Sequence, residues 1–242
     1  MINYNSFELL CYEAVKNEGV FKTFKRHPDF IPILEHVTYE QGLEYIKEIN
    51  QDLLSHIKDF AKNDLIGTPR VYHYPELGIE ISPTTLRYVK VLSDLIKLFG
   101  SLDNLNIVEI GCGYGGQCNI INTIAKPCSY VIVDLPGVLC LSHKYLKLCE
   151  VENVISRHID SDIDIGYDLC ISNYAFSEIG RNYQDLYTEK IIKNSDMGYM
   201  TCNFIAPENL TREQIFALKS NHTVYPEKPL TGEGNLIYTW KQ

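Results

Sequence analysis

The sequence has no long apolar run, no paired cysteine motif and no basic tract, and each absence removes a class of function. Without a stretch near the ~20 consecutive apolar residues that a bilayer span needs, no transmembrane helix is expected. Asn3, Asn5 and Ser6 fit no secretory leader, so a cytoplasmic location is the expectation. The longest basic cluster is Lys22 to Arg26 in a chain of net charge −9, which speaks against nucleic acid and anionic membranes as partners. The 8 cysteines include no Cys-x-x-Cys pair, and several fall in apolar patterns, so they read as reduced core residues. The 7 histidines lack metal-ligand spacing with one another or with the cysteines, and no metal is expected. Asp160, Asp162 and Asp164 are the carboxylates that would suit Mg²⁺, ranked below metal independence.

What is present is a chain 45% hydrophobic over 242 residues, enough to bury a sizeable core. Residues 1–66 read as helical, with Phe7, Leu10, Cys11 and Ala14, then Leu43, Ile46, Ile49, Leu53, Leu54 and Ile57, at helical spacing. His27-Pro28 and Ile31-Pro32 break this segment, because the residue before a proline leaves the α region. Residues 67–83 hold three prolines, two glycines and Tyr72-His73-Tyr74, the composition of an ordered loop. A helix over about 84–99 follows, stopped by Gly100.

Beyond it the pattern alternates. Strands are predicted at 106–110, 129–134, 153–158, 167–172 and 197–203, with helices near 116–125, 137–149 and 183–194. After a helix over about 211–219, strands at 222–226 and 235–241 are close enough to pair antiparallel. The expected class is α/β, with a doubly wound, mainly parallel sheet. The expected organisation is a helical appendage with a substrate-side loop over 1–80, followed by the sheet domain over 81–242.

The most informative stretch is Ile107-Val-Glu-Ile-Gly-Cys-Gly-Tyr-Gly-Gly-Gln117, a buried strand running into a glycine-rich turn and a helix. Gly111, Gly113 and Gly116 spell G-x-G-x-x-G, and a helix start near Gly116 offers free N–H groups to a nucleotide-type ligand. Asp134 lies 18 residues beyond Gly116, in Val-Ile-Val-Asp-Leu, where a bidentate acceptor suits a ribose diol; Leu135 is placed beside it. The glycines alone do not separate NAD from S-adenosylmethionine. Glu109, two residues before the first glycine, and the terminal strand pair are similar to Rossmann-like methyltransferases, whose acidic Glu/Asp-x-Gly-x-Gly-x-Gly turn holds the methionine half of the cofactor. A buried carboxylate in so apolar a strand needs a partner.

A wider resemblance is carried by Ile-Ser-Pro-Thr-Thr-Leu-Arg-Tyr (81–88), the glycine turn, Val-Asp-Leu-Pro, Ser-Asn-Tyr-Ala-Phe-Ser-Glu (172–178) and Glu-Lys-Pro-Leu-Thr-Gly (227–232). Over roughly 67–242 the chain resembles the sugar O-methyltransferase family. That implies a Rossmann-like, seven-stranded sheet with an antiparallel last strand, S-adenosyl-L-methionine as cofactor, and a sugar hydroxyl, on a nucleotide sugar or glycan, as acceptor. A homodimer is the assembly considered. The alternatives are an NAD-dependent sugar oxidoreductase and a non-catalytic, cofactor-binding partner subunit.

Methyl transfer to a hydroxyl calls for alignment and for a base within hydrogen-bond reach, which contributes on the order of 10²–10⁴ in rate. Glu178, in the segment after the fourth strand of the alternating series, is the first candidate base, against the simpler reading of an acid in a helix first turn. His73, flanked by Tyr72 and Tyr74, is the rival, with the two tyrosines as candidate sugar platforms or as packing. His143 reads as structural. Asn173 and Tyr174 are expected to shape the methyl site, Asn173 at the cofactor and Tyr174 at the acceptor. Asp160, beside His158, is where similar methyltransferases meet the adenine amino group. Gly115 and Gln117 complete the cofactor set, Gln117 towards the amino-acid carboxylate. Arg87 is placed at that carboxylate or at a substrate phosphate, with a surface salt bridge as the duller option. Lys228 and Thr231 are placed near the acceptor entrance.

Overall fold

A computed structural model describes residues 4–161, 163 and 166–242; Asp162 and Asp164 lie outside the described residues. The chain divides into two compact units, neither contiguous in sequence. One gathers the chain up to Ser101 with Gly113–Ala125 and Leu135–Glu152, and the other gathers Leu102–Cys112, Lys126–Asp134 and Asn153–Gln242. The helix over 83–99 and two helices of the alternating region group with the N-terminal segment, across the cut at residue 80.

The first unit is built from helices at Tyr4–Lys16 (α1), Glu18–Thr23 (α2), Ile31–Leu34 (α3), Tyr39–Glu48 (α4), Gln51–Leu54 (α5), Ile57–Phe60 (α6), Pro83–Phe99 (α7), Gly116–Ile124 (α8) and Pro136–Leu148 (α9). Their starts follow from side chains that accept otherwise orphaned N–H groups. Asn17 accepts from Gly19 and Val20, Thr38 and Gln41 form a reciprocal capping box, and Ser82 accepts from Thr85 ahead of Pro83. Asp64 doubles the last cap, accepting from the Ser82 amide at 2.6 Å and from the Thr85 hydroxyl at 2.7 Å. Helices α1 and α9 pack together, with Glu8 accepting from the Gly137 amide at 2.9 Å and Lys144 donating to the Val15 carbonyl at 3.2 Å.

The segment predicted as a loop contains an antiparallel hairpin, Tyr72–Tyr74 (β1) with Ile79–Ile81 (β2). Its alternation puts Tyr74 and Ile81 inside and His73 and Glu80 outside, a two-residue period too short to register against three prolines.

The second unit is a seven-stranded sheet of Asn106–Ile110 (β3), Ser129–Val133 (β4), Val154–Arg157 (β5), Tyr167–Asn173 (β6), Ser195–Cys202 (β7), His222–Pro226 (β8) and Leu236–Lys241 (β9). The spatial order is β5-β4-β3-β6-β7-β9-β8. The five strands from β5 to β7 run parallel; β9 is antiparallel to both β7 and β8. This is the expected sheet, with strand boundaries within about two residues of those predicted.

One face of the sheet forms a core with Ala175–Glu178 (α10), Arg181–Tyr187 (α11), a π-helical turn at Thr188–Ile192 and Arg212–Phe216 (α12). Val108, Ile110, Val131 and Val133 of the parallel strands meet Phe176, Tyr187, Ile191 and Ile192 there. Trp240 and Tyr238 of β9 extend the same core, and the Tyr238 hydroxyl accepts from the Lys219 amide at 3.0 Å. The helix predicted at 183–194 is thus a shorter α-helix finished by a π turn, and that predicted at 211–219 is only five residues long.

Gly198 in β7 is fixed by Trp240, because a methyl group at Gly198 would lie 2.1 Å from the indole ring. Gly198→Ala is therefore expected to destabilise by about 1–3 kcal/mol through overpacking. Urea unfolding measures this, and an unchanged midpoint would contradict the packing described.

Candidate functional site

The parallel strands β3, β4 and β6 end on one edge of the sheet, the edge at which ligands of open α/β sheets bind. Two residues of the second unit knit that edge. Ser172 donates to the Ile110 carbonyl at 3.1 Å and accepts from the Phe176 amide at 3.1 Å. Gly111, at φ +75°, leaves β3 so close to α10 that a methyl group there would stand 2.0 Å from the Ala175 Cβ. Only glycine meets both demands.

Asn173, the last residue of β6, has both side-chain polar atoms buried and without a hydrogen-bond partner. Buried amides are nearly always paired, which makes this one a candidate ligand contact. Tyr174 follows at φ +67°, a left-handed conformation uncommon for an aromatic residue, and its amide donates to the Thr201 carbonyl at 2.8 Å. Its hydroxyl is held by Glu227, which also accepts from the Thr231 amide at 2.8 Å and the Asn235 amide group at 3.1 Å. Glu227 lies within a stretch that the sequence singled out, yet its anchoring of Tyr174 had no local signal. Lys228 beside it is exposed.

Glu178 ends α10, half-buried, and accepts from the Asn203 amide at 2.5 Å. Asn203, from the segment after β7, is a contact that only the parallel pairing of β6 with β7 creates.

Glu109 has its partner inside the sheet: the Tyr130 hydroxyl of β4 donates to it at 2.9 Å. Burial, opposed by that hydrogen bond and reinforced by the negative charge of Asp134, pushes the Glu109 carboxyl up to about 8. Near neutral pH it is therefore mostly a neutral acid. Asp134 follows β4 and is partly exposed. Burial, then Asp134, Cys112, Tyr183 and Asp160, hold the Tyr187 phenol above its ordinary value. The carboxylates of the β4 and β5 ends are thus gathered around Tyr187, a residue the sequence did not single out. Asp160 is exposed and pairs with His158 at 3.4 Å.

The first unit carries the rest of the glycine turn. Gly113 and Gly115 adopt φ +53° and +91°, and Gly115 caps α8. Tyr114 is buried in an aromatic box, 4.9 Å from the Tyr145 ring, with the Lys25 ammonium 4.2 Å above its own ring. Its hydroxyl accepts from the Asn63 amide at 3.1 Å. Gln117 is buried and donates to the Tyr88 carbonyl at 3.2 Å, leaving its carbonyl oxygen without a partner. What Gln117 has to offer is an acceptor, which does not suit the carboxylate expected of it. Leu135 is at the surface as the residue preceding α9.

Arg87 is buried, donating to the Leu34 carbonyl at 3.2 Å, which removes the surface salt bridge considered for it. His73 stands on the exposed side of its hairpin. Tyr74 is fully covered, stacked on Tyr39 at 4.9 Å and donating to the Tyr39 carbonyl, so its ring packs the hairpin onto α4 and is closed to a sugar. Tyr72 keeps partial exposure beside Tyr39.

Among the described residues, no group of three His, Cys, Asp or Glu side chains is placed to hold a metal ion, and no helix is long and apolar enough to cross a membrane.

Glu109 yields a pH prediction. A carboxyl whose pKa is raised on folding binds more protons in the folded state, so stability falls as pH rises from about 4.5 to about 8. Glu109→Gln keeps an acceptor for Tyr130 and should flatten this fall by on the order of a few kcal/mol. Urea unfolding at pH 5 and pH 8.5 tests it, and parallel pH profiles for both proteins would refute the assignment.

No protein-family profile matches the chain, and no curated protein sequence matches it. Solved structures do resemble it. N-methyltransferase NodS from Bradyrhizobium japonicum WM9, in complex with S-adenosyl-L-homocysteine, is 12% identical, with a TM-score of 0.51 over 64% of this chain and 85% of that one. Magnesium protoporphyrin IX methyltransferase from Synechocystis PCC 6803, with bound SAM, is 11% identical, with a TM-score of 0.50 over 64% of this chain and 78% of that one. The sheet order and these likenesses agree: the fold is that of the Rossmann-like methyltransferases.

Proposed function

We propose that this chain is an S-adenosylmethionine-dependent O-methyltransferase acting on a sugar hydroxyl of a nucleotide sugar or glycan. The observation that carries the cofactor reading is the unpartnered Asn173 amide at the carboxyl end of β6, on the same sheet edge as the close-approach glycine Gly111 and the strand-end carboxylate Asp134. The two neighbours named above were solved with this cofactor or its demethylated product, which supports the same choice. The NAD alternative loses ground to the topology: β9 enters antiparallel between β7 and β8, which the dinucleotide order 3-2-1-4-5-6 does not have. The sugar acceptor rests on the resemblance of 81–88, 172–178 and 227–232.

In this reading Asp134 would accept from the ribose diol, Asp160 would meet the adenine amino group, and the glycine turn would hold the methionine half. When bound, the sulfonium supplies an activated methyl group. Asn173 would contact the cofactor and Tyr174 would orient the acceptor, with the Tyr174 ring set by Glu227. Glu178 would take the proton that the acceptor hydroxyl gives up on methylation. Asn203 holds the Glu178 carboxylate in place for this. His73 ranks behind Glu178 because its hairpin turns it to solvent.

S-adenosylhomocysteine, and not NAD, is expected to raise the melting temperature. With the protein incubated with S-adenosylmethionine and a panel of nucleotide sugars, mass spectrometry should find a product heavier by one methyl group for hydrogen. Stabilisation by NAD alone would overturn the cofactor reading. Glu178→Gln should bind S-adenosylhomocysteine normally while turnover drops on the order of 10²–10⁴-fold. Unimpaired turnover removes Glu178 from the mechanism. Asn173→Ala should weaken S-adenosylhomocysteine binding about tenfold without lowering the melting temperature of the free protein, since it deletes an amide already lacking partners.

A further inference from the structure

Within the first unit, the segment just after α3 approaches the glycine turn. A methyl group at Gly113 would meet the Leu34 side chain at 2.8 Å, so Leu34 is in close contact with the turn backbone. The Leu34 carbonyl receives hydrogen bonds from the Thr84 hydroxyl at 3.3 Å and from Arg87 at 3.2 Å, tying this segment to the start of α7. Glu35 is next in the chain. Its Oε1 is buried and has no hydrogen-bond partner. The groups acting on its charge are Lys25, Asp64 and Arg87, with Thr84 as the hydrogen-bonding hydroxyl. Glu35 in turn acts on the Tyr114 phenol of the glycine turn.

An unpartnered buried carboxylate oxygen is costly and calls for a donor, best a cationic one. A second such acceptor is close in sequence to the turn, the buried carbonyl oxygen of Gln117, since the Gln117 amide nitrogen is spent on Tyr88. An orphaned carboxylate oxygen suits an ammonium, which has three N–H donors and no acceptor. Arg87 adds a guanidinium, which suits a carboxylate. An ammonium and a carboxylate on one carbon are the two ends of an amino acid.

We propose that Glu35 is the acceptor for the α-ammonium of the methionine moiety, with Gln117 assisting and Arg87 facing the carboxylate; this rests on the S-adenosylmethionine reading above. The sequence did not indicate this role for Glu35. Burial pushes the free Glu35 carboxyl up to about 7, opposed by Lys25, Thr84 and Arg87 and aided by Asp64. Near pH 7 about half of the free protein therefore carries a proton on Glu35, and a bound ammonium would expel it.

Isothermal titration calorimetry with S-adenosylhomocysteine and with 5′-methylthioadenosine, which lacks the amino acid, tests this. Wild-type protein at pH 7 should release about half a proton on binding S-adenosylhomocysteine, read from the dependence of the enthalpy on buffer, and none on binding 5′-methylthioadenosine. Glu35→Gln should weaken S-adenosylhomocysteine about 10–100-fold, change 5′-methylthioadenosine less than twofold, and abolish the proton release. Its melting temperature should equal or exceed that of wild type, because an unpaired buried carboxyl is removed. Wild-type-like affinity of Glu35→Gln for S-adenosylhomocysteine, or binding by wild type without proton release, overturns the Glu35 assignment and leaves the methyl donor intact. Wild-type protein that binds neither compound overturns the donor reading itself, and the assignment with it.

Discussion

Tyr114 is the residue on which the first unit depends. It stands between two glycines of the ligand turn, where a solvent-facing side chain would be unremarkable, and instead it is almost wholly buried. Phe24, Phe30, Tyr88 and Tyr145 surround its ring, and the Lys25 ammonium lies over one face. Lys25 is itself buried, an expensive arrangement that is offset by the ring and by the Asn63 carbonyl at 2.8 Å. Asn63 then links onward to Thr85, Asn119 and Tyr145. A half-satisfied network of this kind would destabilise, whereas a filled one specifies a single arrangement. The N-terminal helices thus help to set the conformation of the glycine turn.

The second unit uses a different device at its own edge. Here the short α10 is pressed against Gly111, and the strand end at Asn173 and Tyr174 is held by Ser172, Thr201 and Glu227. Strain at Tyr174 is tolerated because its amide and hydroxyl are both bonded. Asn173, between these fixed neighbours, is left unpaired, as a binding group must be if it is to exchange protein partners for ligand ones. Rigid surroundings with one open amide are what preorganisation looks like before a ligand arrives.

Much of this could be read along the chain. The strand and helix alternation gave the sheet nearly strand for strand, because buried parallel strands are short, continuous apolar runs and their helices keep a 3.6-residue period. Gly111, Asp134 and Asn173 could be named because the strand-to-helix order puts residues that follow strands on one edge. The β1–β2 hairpin was missed, since its pairing is between residues separated by a turn and its prolines argue for loop. The partner of Glu109 could be anticipated as a need but not as Tyr130, which lies on the neighbouring strand and meets it through sheet register. Gln117, Arg87 and Tyr74 carry side chains whose chemistry permits several roles, and burial chose among them.

Sequence by itself determined the order of the sheet strands and the glycine turn, because these rest on local period, backbone freedom and spacing along one strand. Tertiary structure alone decided which polar groups are spent on the protein and which are left over. Asn173, Gln117 and Glu35 are far apart in the chain and look no different in composition from Asn203 or Glu227. They differ because hydrogen bonding is a three-dimensional inventory: Asn203 and Glu227 found partners across strand ends and turns, whereas the other three keep buried atoms without them.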